Sequence, residues 1–211
     1  MKKTFLLSCL MLAAMPVMAA YTGHVYVDKN KNGVFDQSEK PLAGIKVSDG
    51  LNVVETAADG SFTLPGHERE RFIFITTPSG YKTFNRHYHK IEKKQSGYDF
   101  GLIPYSGRIR KNGSHRYIHI ADTEIFNTEN HADWVNNVRD YARNEQAAFI
   151  IHTGDICYEK GLKAHIKLMN TENMDCPVFY CIGNHDLVKG KYGEELFESI
   201  YGPVYYSFDA G

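Results

Sequence analysis

The sequence has little cysteine, almost no charge imbalance and one tryptophan, and no long apolar run follows its first twenty residues. Each shortage excludes a class of protein. The 4 cysteines include no Cys-x-x-Cys pair, which excludes a ribbon-type structural zinc site and a dense disulfide framework. With 24 Lys and Arg against 25 Asp and Glu, the net charge is −1 and no basic stripe exists to hold nucleic acid. Membrane-spanning length is absent after residue 20. Internal repeats and low-complexity tracts are missing too. What is present, 12 Phe and 14 Tyr, excludes a disordered chain.

The first twenty residues stand apart. Lys2 and Lys3 precede an uncharged apolar run from Thr4 to Ala20 that ends in the small residues Ala19 and Ala20. That is the pattern of a secretory signal peptide. Pro16 and the shortness of the run weigh against a membrane helix, and the short segment before Cys9 weighs against a lipid-attachment site. Cleavage predicts an exported chain, periplasmic or extracellular, with no membrane span left. Cys157, Cys176 and Cys181 would remain, an odd number set in or beside apolar stretches, which reads as buried thiols.

Residues 21–105 read as an all-β unit, a small immunoglobulin-like sandwich. Strands are expected at His24–Val27, Gly44–Ser48, Ser61–Leu64, Phe72–Thr76 and Tyr98–Ile103, with turns at Asp49-Gly50, Asp59-Gly60, Pro65-Gly66 and Pro78-Ser79-Gly80. The polar stretch Arg86–Gly97 predicts a surface loop, and residues 106–114 a linker. From His115 to Gly211 the period changes. Strands at Tyr117–Ala121, Ala147–His152 and Val178–Ile182 alternate with helices at about 131–146, 162–174 and 194–201, and a last strand is expected at Val204–Asp209. Trp134, Val138, Tyr141 and Ala142 would form the apolar face of the first helix. Such alternation predicts a largely parallel sheet covered by helices.

Asp28-Lys29-Asn30-Lys31-Asn32-Gly33-Val34-Phe35-Asp36-Gln37-Ser38-Glu39 has the spacing of a twelve-residue calcium loop. Oxygen-bearing side chains fall on Asp28, Asn30, Asn32, Asp36 and Glu39, around a bend that Gly33 permits. A strand leads into it, so a structural Ca2+ is expected and a helical sensor hand is not. A solvated Asn/Gly turn is the simpler alternative. The segment resembles calcium-stapled loops of bacterial surface β-sandwich repeats, and the small N-terminal domain that precedes some bacterial calcineurin-like phosphoesterases.

Three strand ends carry the chemistry: Asp122-Thr123-Glu124, Gly154-Asp155 and Gly183-Asn184-His185-Asp186. In a parallel sheet these ends share one edge. Carboxylates so crowded repel one another unless cations neutralise them, and oxygen and nitrogen ligands without cysteine suit Mn, Fe or Zn.

In order and placement these segments resemble the metallophosphoesterase (calcineurin-like) superfamily over about His115 to Gly211. The resemblance implies two divalent or trivalent metals, with Asp122 on the first, Asp155 bridging both and Asn184 on the second. It implies that a hydroxide activated by the two metals hydrolyses a phosphoester, mono- or diester. His185 would neutralise phosphate charge or protonate the leaving oxygen, and Asp186 would orient its imidazole. Glu124 stands where the family usually has histidine, and remains a competent hard ligand. No histidine follows His185, whereas the family draws further ligands from later strands, so the chain reads as C-terminally truncated and its phosphoesterase sandwich as incomplete. The substrate implied is a phosphorylated small molecule or envelope component. The alternative is a calcium-stabilised β-sandwich binding module joined to an inactive remnant.

The other histidines invite plain readings: His119 and His152 packed or hydrogen-bonded in strands, His87 and His89 solvated in a polar loop. Trp134 is most simply core, and Lys160, Lys163 and Lys167 a solvated helix edge.

Overall fold

The computed structural model describes residues 20–84, 86–95, 97–105 and 112–210. Residues 1–19 of the expected signal peptide and 106–111 of the expected linker lie outside these. In the N-terminal half, β1 (Ala20–Val27), β2 (Lys40–Pro41), β3 (Lys46–Ser48), β4 (Val53–Glu55), β5 (Ser61–Pro65), β6 (Phe72–Ile75), β7 (Tyr81–Thr83), β8 (Tyr88–Lys90) and β9 (Phe100–Pro104) form two sheets. One runs β2-β1-β9-β7, with β5 paired to the first part of β1; the other runs β4-β3-β6-β8. Period-two alternation turns Phe62 and Leu64 of β5 inward, where they join Val25, Val47, Ile73, Ile75 and Leu102 in a single core. The pairing of β1 with β9 is parallel and the others here are antiparallel.

Sequence pattern misplaced one element of this half. The expected surface loop at Arg86–Gly97 contains β8, which pairs with β6. Tyr88 is the reason: its buried ring meets Phe72 edge-on at 5.6 Å. His87 is drawn in with it and lies tilted against Tyr206 at 4.5 Å, while a ring nitrogen of His89 bonds the Asp99 carbonyl at 2.8 Å. Neither histidine is a solvated loop residue. Burial pushes His87 down to about 4.

The second half contains β10 (Arg116–Ile120), α1 (Ala132–Asn144), β11 (Ala147–His152), α2 (Glu159–Leu168), α3 (Thr171–Met174), β12 (Val178–Tyr180) and α4 (Glu195–Tyr201). The three strands form a parallel sheet in the order β10-β11-β12, as the alternation implies. One core gathers Val135 and Ala142 of α1, Leu162 of α2, Ile150 of β11 and Phe197 of α4.

Three expectations fail here for local reasons. The buried stripe of α1 is Val135 and Ala142, flanked by Val138, so Trp134 is 42% exposed and Tyr141 faces solvent as well. The single helix expected at 162–174 breaks at Met169–Asn170, because the Asn170 side chain accepts the amides of Glu172 and Asn173 and starts α3 as its cap. No strand forms at Val204–Asp209. There Phe208 stacks on Phe179 at 3.6 Å over the outer face of the sheet, and a single bridge joins it to Thr77. Cys181 is exposed, while Cys157 and Cys176 are buried.

The halves are fastened through α4 and the segment after it. Arg71 forks between Glu194 at 2.8 Å and Glu198 at 3.0 Å, the Tyr88 hydroxyl donates to the Ile200 carbonyl at 3.3 Å, and the Asp209 amide donates to the Thr77 carbonyl at 2.9 Å. Among the described residues no helix is long and apolar enough to cross a membrane.

Candidate active site

Parallel pairing sets Ile120 beside His152 and His152 beside Tyr180, so the residues after β10, β11 and β12 leave the sheet along one edge. The ladder runs on into the loops: the Asp122 amide donates to the Gly154 carbonyl at 3.1 Å, and the Cys181 amide to the His152 carbonyl at 2.7 Å. Two glycines then let the second and third loops touch. Gly154 has φ +106°, and a Cβ there would run into the backbone of Gly183; a Cβ on Gly183 would overlap Asp155. Across this contact the His185 amide donates to Asp155 Oδ1 at 3.0 Å. The structure thus brings Asp155 and Asn184-His185-Asp186 together, as their positions at strand ends imply.

Three carboxylate residues at this edge hold left-handed backbone: Asp122 at φ 55°, Glu124 at φ 43° and Asp155 at φ 51°. Each costs roughly 1–2 kcal/mol in an L-residue, a strain that persists only where surroundings over-determine it and that concentrates at functional sites. Among the described residues, no Lys or Arg pairs with any of the three. The three leave the sheet at one edge, but among the described residues their ligand atoms do not form a group lying within 4.8 Å of one another. Asp122, Glu124, Asp155 and Asn184 supply oxygen donors, a set whose chemistry fits hard or borderline divalent cations.

His185 sits between two side chains. Its Nδ1 faces Glu124 Oε1 at 3.4 Å, and the Tyr158 ring stacks on its imidazole at 5.1 Å and 20°. Asp186 does something else than orient that ring. It is fully buried, with Oδ1 accepting the amides of Ile156 at 2.9 Å and Cys157 at 3.0 Å, and Oδ2 that of Gly183 at 2.9 Å. Both oxygens are occupied by backbone, so Asp186 clamps the second loop to the third. Burial raises its carboxyl above the usual range, opposed by the three amides.

Sequence reading also missed what lies beneath the edge. His152 is fully buried, and burial pushes its imidazole down to about 4. Its Nε2 lies 2.9 Å from Thr123 Oγ1, and its Nδ1 accepts the Gly154 amide at 3.3 Å. The plain reading of His152 as a hydrogen-bonded strand residue stands. Adjacency to Gly154-Asp155 was the available hint of more.

In the β-rich half, the Asp28–Glu39 loop is braced by its own carboxylates. Asp28 accepts the amides of Asn32 (3.1 Å) and Gly33 (2.9 Å), Glu39 those of Lys29 (2.8 Å) and Asp36 (3.2 Å), and Asp36 takes the side-chain amides of Asn30 and Asn32. A candidate metal site lies elsewhere in this half. Asp49, His67 and Glu70 bring three ligand atoms within 4.8 Å of one another. Spacings of 18 and 3 residues match no motif, so sequence held no signal for this group. There the Arg69 amide donates to His67 Nδ1 at 3.1 Å, which leaves the ring's own proton on Nε2, 3.4 Å from Asp49. A cation bound through Nε2 would have to displace that proton.

Compared with protein-family models, residues 115–209 match the calcineurin-like phosphoesterase model and residues 29–104 match the model of the N-terminal part of calcineurin-like phosphoesterase. The chain belongs to the calcineurin-like phosphoesterase family. Within that family's catalytic unit lie all the loops described above, from Asp122 to Asp186. No curated protein gives a significant match.

Proposed function

We propose that the chain is a metal-dependent hydrolase of phosphoesters. One observation carries the reading: the Gly154–Gly183 contact that sets Asp155 against Asn184-His185 at the charged sheet edge. Asp122, Glu124, Asp155 and the Asn184 side-chain oxygen would hold the cations. When bound, such cations supply charge that holds phosphate oxygens and a water of lowered pKa. The chain's own residues do the rest. Asp155 is steadied by the His185 amide through Oδ1, which leaves its other oxygen to a ligand. The stacked Tyr158 ring sets the plane of the His185 ring, and Glu124 Oε1 lies 3.4 Å from its Nδ1, so that Nε2 can meet a phosphate or leaving oxygen. Glu124 thereby takes the orienting task expected of Asp186, whose oxygens are committed to backbone. Asp186 keeps the two loops in register.

Phosphorylated small molecules or envelope components are the proposed substrates, and the apolar run after Lys2 and Lys3 supports an exported location. The test is metal content together with turnover of a chromogenic phosphomonoester and diester. Wild-type chain should take up manganese, iron or zinc and turn over at least one ester. Asp155→Asn should lose metal, whereas His185→Ala should keep metal and lose about 10²- to 10⁴-fold in rate, the usual worth of a general acid. Metal-loaded wild type without turnover on either ester would refute the hydrolase and favour the calcium-stabilised binding module.

A further inference from the structure

Beneath the candidate site runs a closed chain of hydrogen bonds that no role above has used. The Gly154 amide donates to His152 Nδ1 at 3.3 Å, which fixes the ring proton on Nε2. Nε2–H therefore donates to Thr123 Oγ1 at 2.9 Å, and the Thr123 hydroxyl donates to the Ile156 carbonyl at 3.4 Å. The placement is specific. Thr123 lies between Asp122 and Glu124, and Gly154 and Ile156 flank Asp155. The three residues so bracketed are the non-glycine residues with left-handed backbone at this edge. His152 itself cannot shift, being fully buried and met edge-on by the His165 ring at 5.2 Å.

We propose that His152 and Thr123 form a positioning clamp that ties the first carboxylate loop to the second and holds Asp122, Glu124 and Asp155 in their strained, ligand-presenting conformation. Neither touches substrate or cation; both act through the loops. Left-handed backbone at three L-residues would relax if nothing opposed it, and relaxation would part the Asp122 and Asp155 loops. A threonine hydroxyl suits the position because it accepts from the ring and donates to the carbonyl at once, which valine, of nearly the same shape, cannot do.

The inference rests on the metal-dependent reading above, and the experiment separates the two. Thr123→Val removes the hydroxyl with little change of volume; Thr123→Ser restores it; His152→Ala is avoided because it opens a cavity in the core. In the metal-free full chain, hydrogen exchange at the Asp122 and Gly154 amides should speed up in T123V and return towards wild type in T123S. In calorimetric titrations with manganese alone, T123V should bind about 10- to 100-fold more weakly, the usual effect of losing a group that orients ligands, with T123S near wild type. Wild-type exchange rates at both amides in T123V overturn the clamp, whatever the metal result. Where wild type binds manganese, an equal affinity in T123V also overturns it, even if T123V melts earlier. A wild type that takes up no metal while T123V still frees both amides refutes the metal-dependent reading and leaves the clamp supported.

Discussion

Replacing Asp186 by asparagine separates the structural clamp from the orienting role that the motif implies. The carboxylate accepts three amides at 2.9–3.0 Å, two buried ones on Oδ1 and the part-buried Gly183 amide on Oδ2. Asparagine can keep the pair on its carbonyl oxygen, but its NH2 then confronts the Gly183 amide, donor against donor. A buried donor left unpaired costs about 1–3 kcal/mol, and the part-buried Gly183 amide falls towards the low end of that range. For a chain of this size the range is a fall in melting temperature of about 2–12 °C, at about 2–4 °C per kcal/mol. Alanine strands all three donors, for a ceiling of about 3–9 kcal/mol, comparable with the whole stability of a typical domain. Urea denaturation of wild type, Asp186→Asn and Asp186→Ala gives the ordering directly. Asp186→Asn as stable as wild type, but slow in turnover, would refute the clamp and restore the orienting role.

Other consequences follow from burial and charge. His152 and His165 are fully buried and pushed down to about 4 and about 3 by desolvation. Below the ordinary histidine value of about 6.5 the unfolded chain binds protons that the folded chain refuses, so stability falls as pH drops from about 6.5 towards 4. With His87 held down to about 4 as well, three protons are refused and the slope should approach about 4.1 kcal/mol per pH unit; denaturation midpoints that stay flat from pH 7 to 5 would contradict it. Arg71→Met leaves Glu198 buried without its cation and should cost about 1–3 kcal/mol, discounted because Arg71 is 45% exposed. Adding Glu198→Gln should recover most of that loss, and strict additivity in the double-mutant cycle would count against the pairing. If the Asp28–Glu39 loop holds calcium, the ion at about a hundred times its dissociation constant should add about 2.7 kcal/mol, lost in Asp28→Ala. Identical melting with and without calcium would dispose of that site.

Read without the fold, the sequence already determined which residues leave the sheet at one edge. Asp122, Asp155 and Asn184-His185-Asp186 each follow an apolar run, and parallel strands must send such residues to one side of a sheet. It determined the change from period two to alternating strands and helices as well, because burial on one face writes its period into the chain. Tertiary structure decided what those periods leave open. Which stripe of α1 turns inward depends on where the sheet lies, so Trp134 faces out although its spacing fits a core face. Phe208 covers the sheet instead of extending it, since a stacking partner on Phe179 is set by packing and not by neighbours in sequence. Asp186 and His152 could not be told from catalytic and inert residues respectively, because each takes its role from groups about 30 residues away: amides at Ile156 and Cys157 for the one, the Thr123 hydroxyl for the other. Residue type and spacing fix which groups can do chemistry; the loops they meet fix which of them are left free to do it.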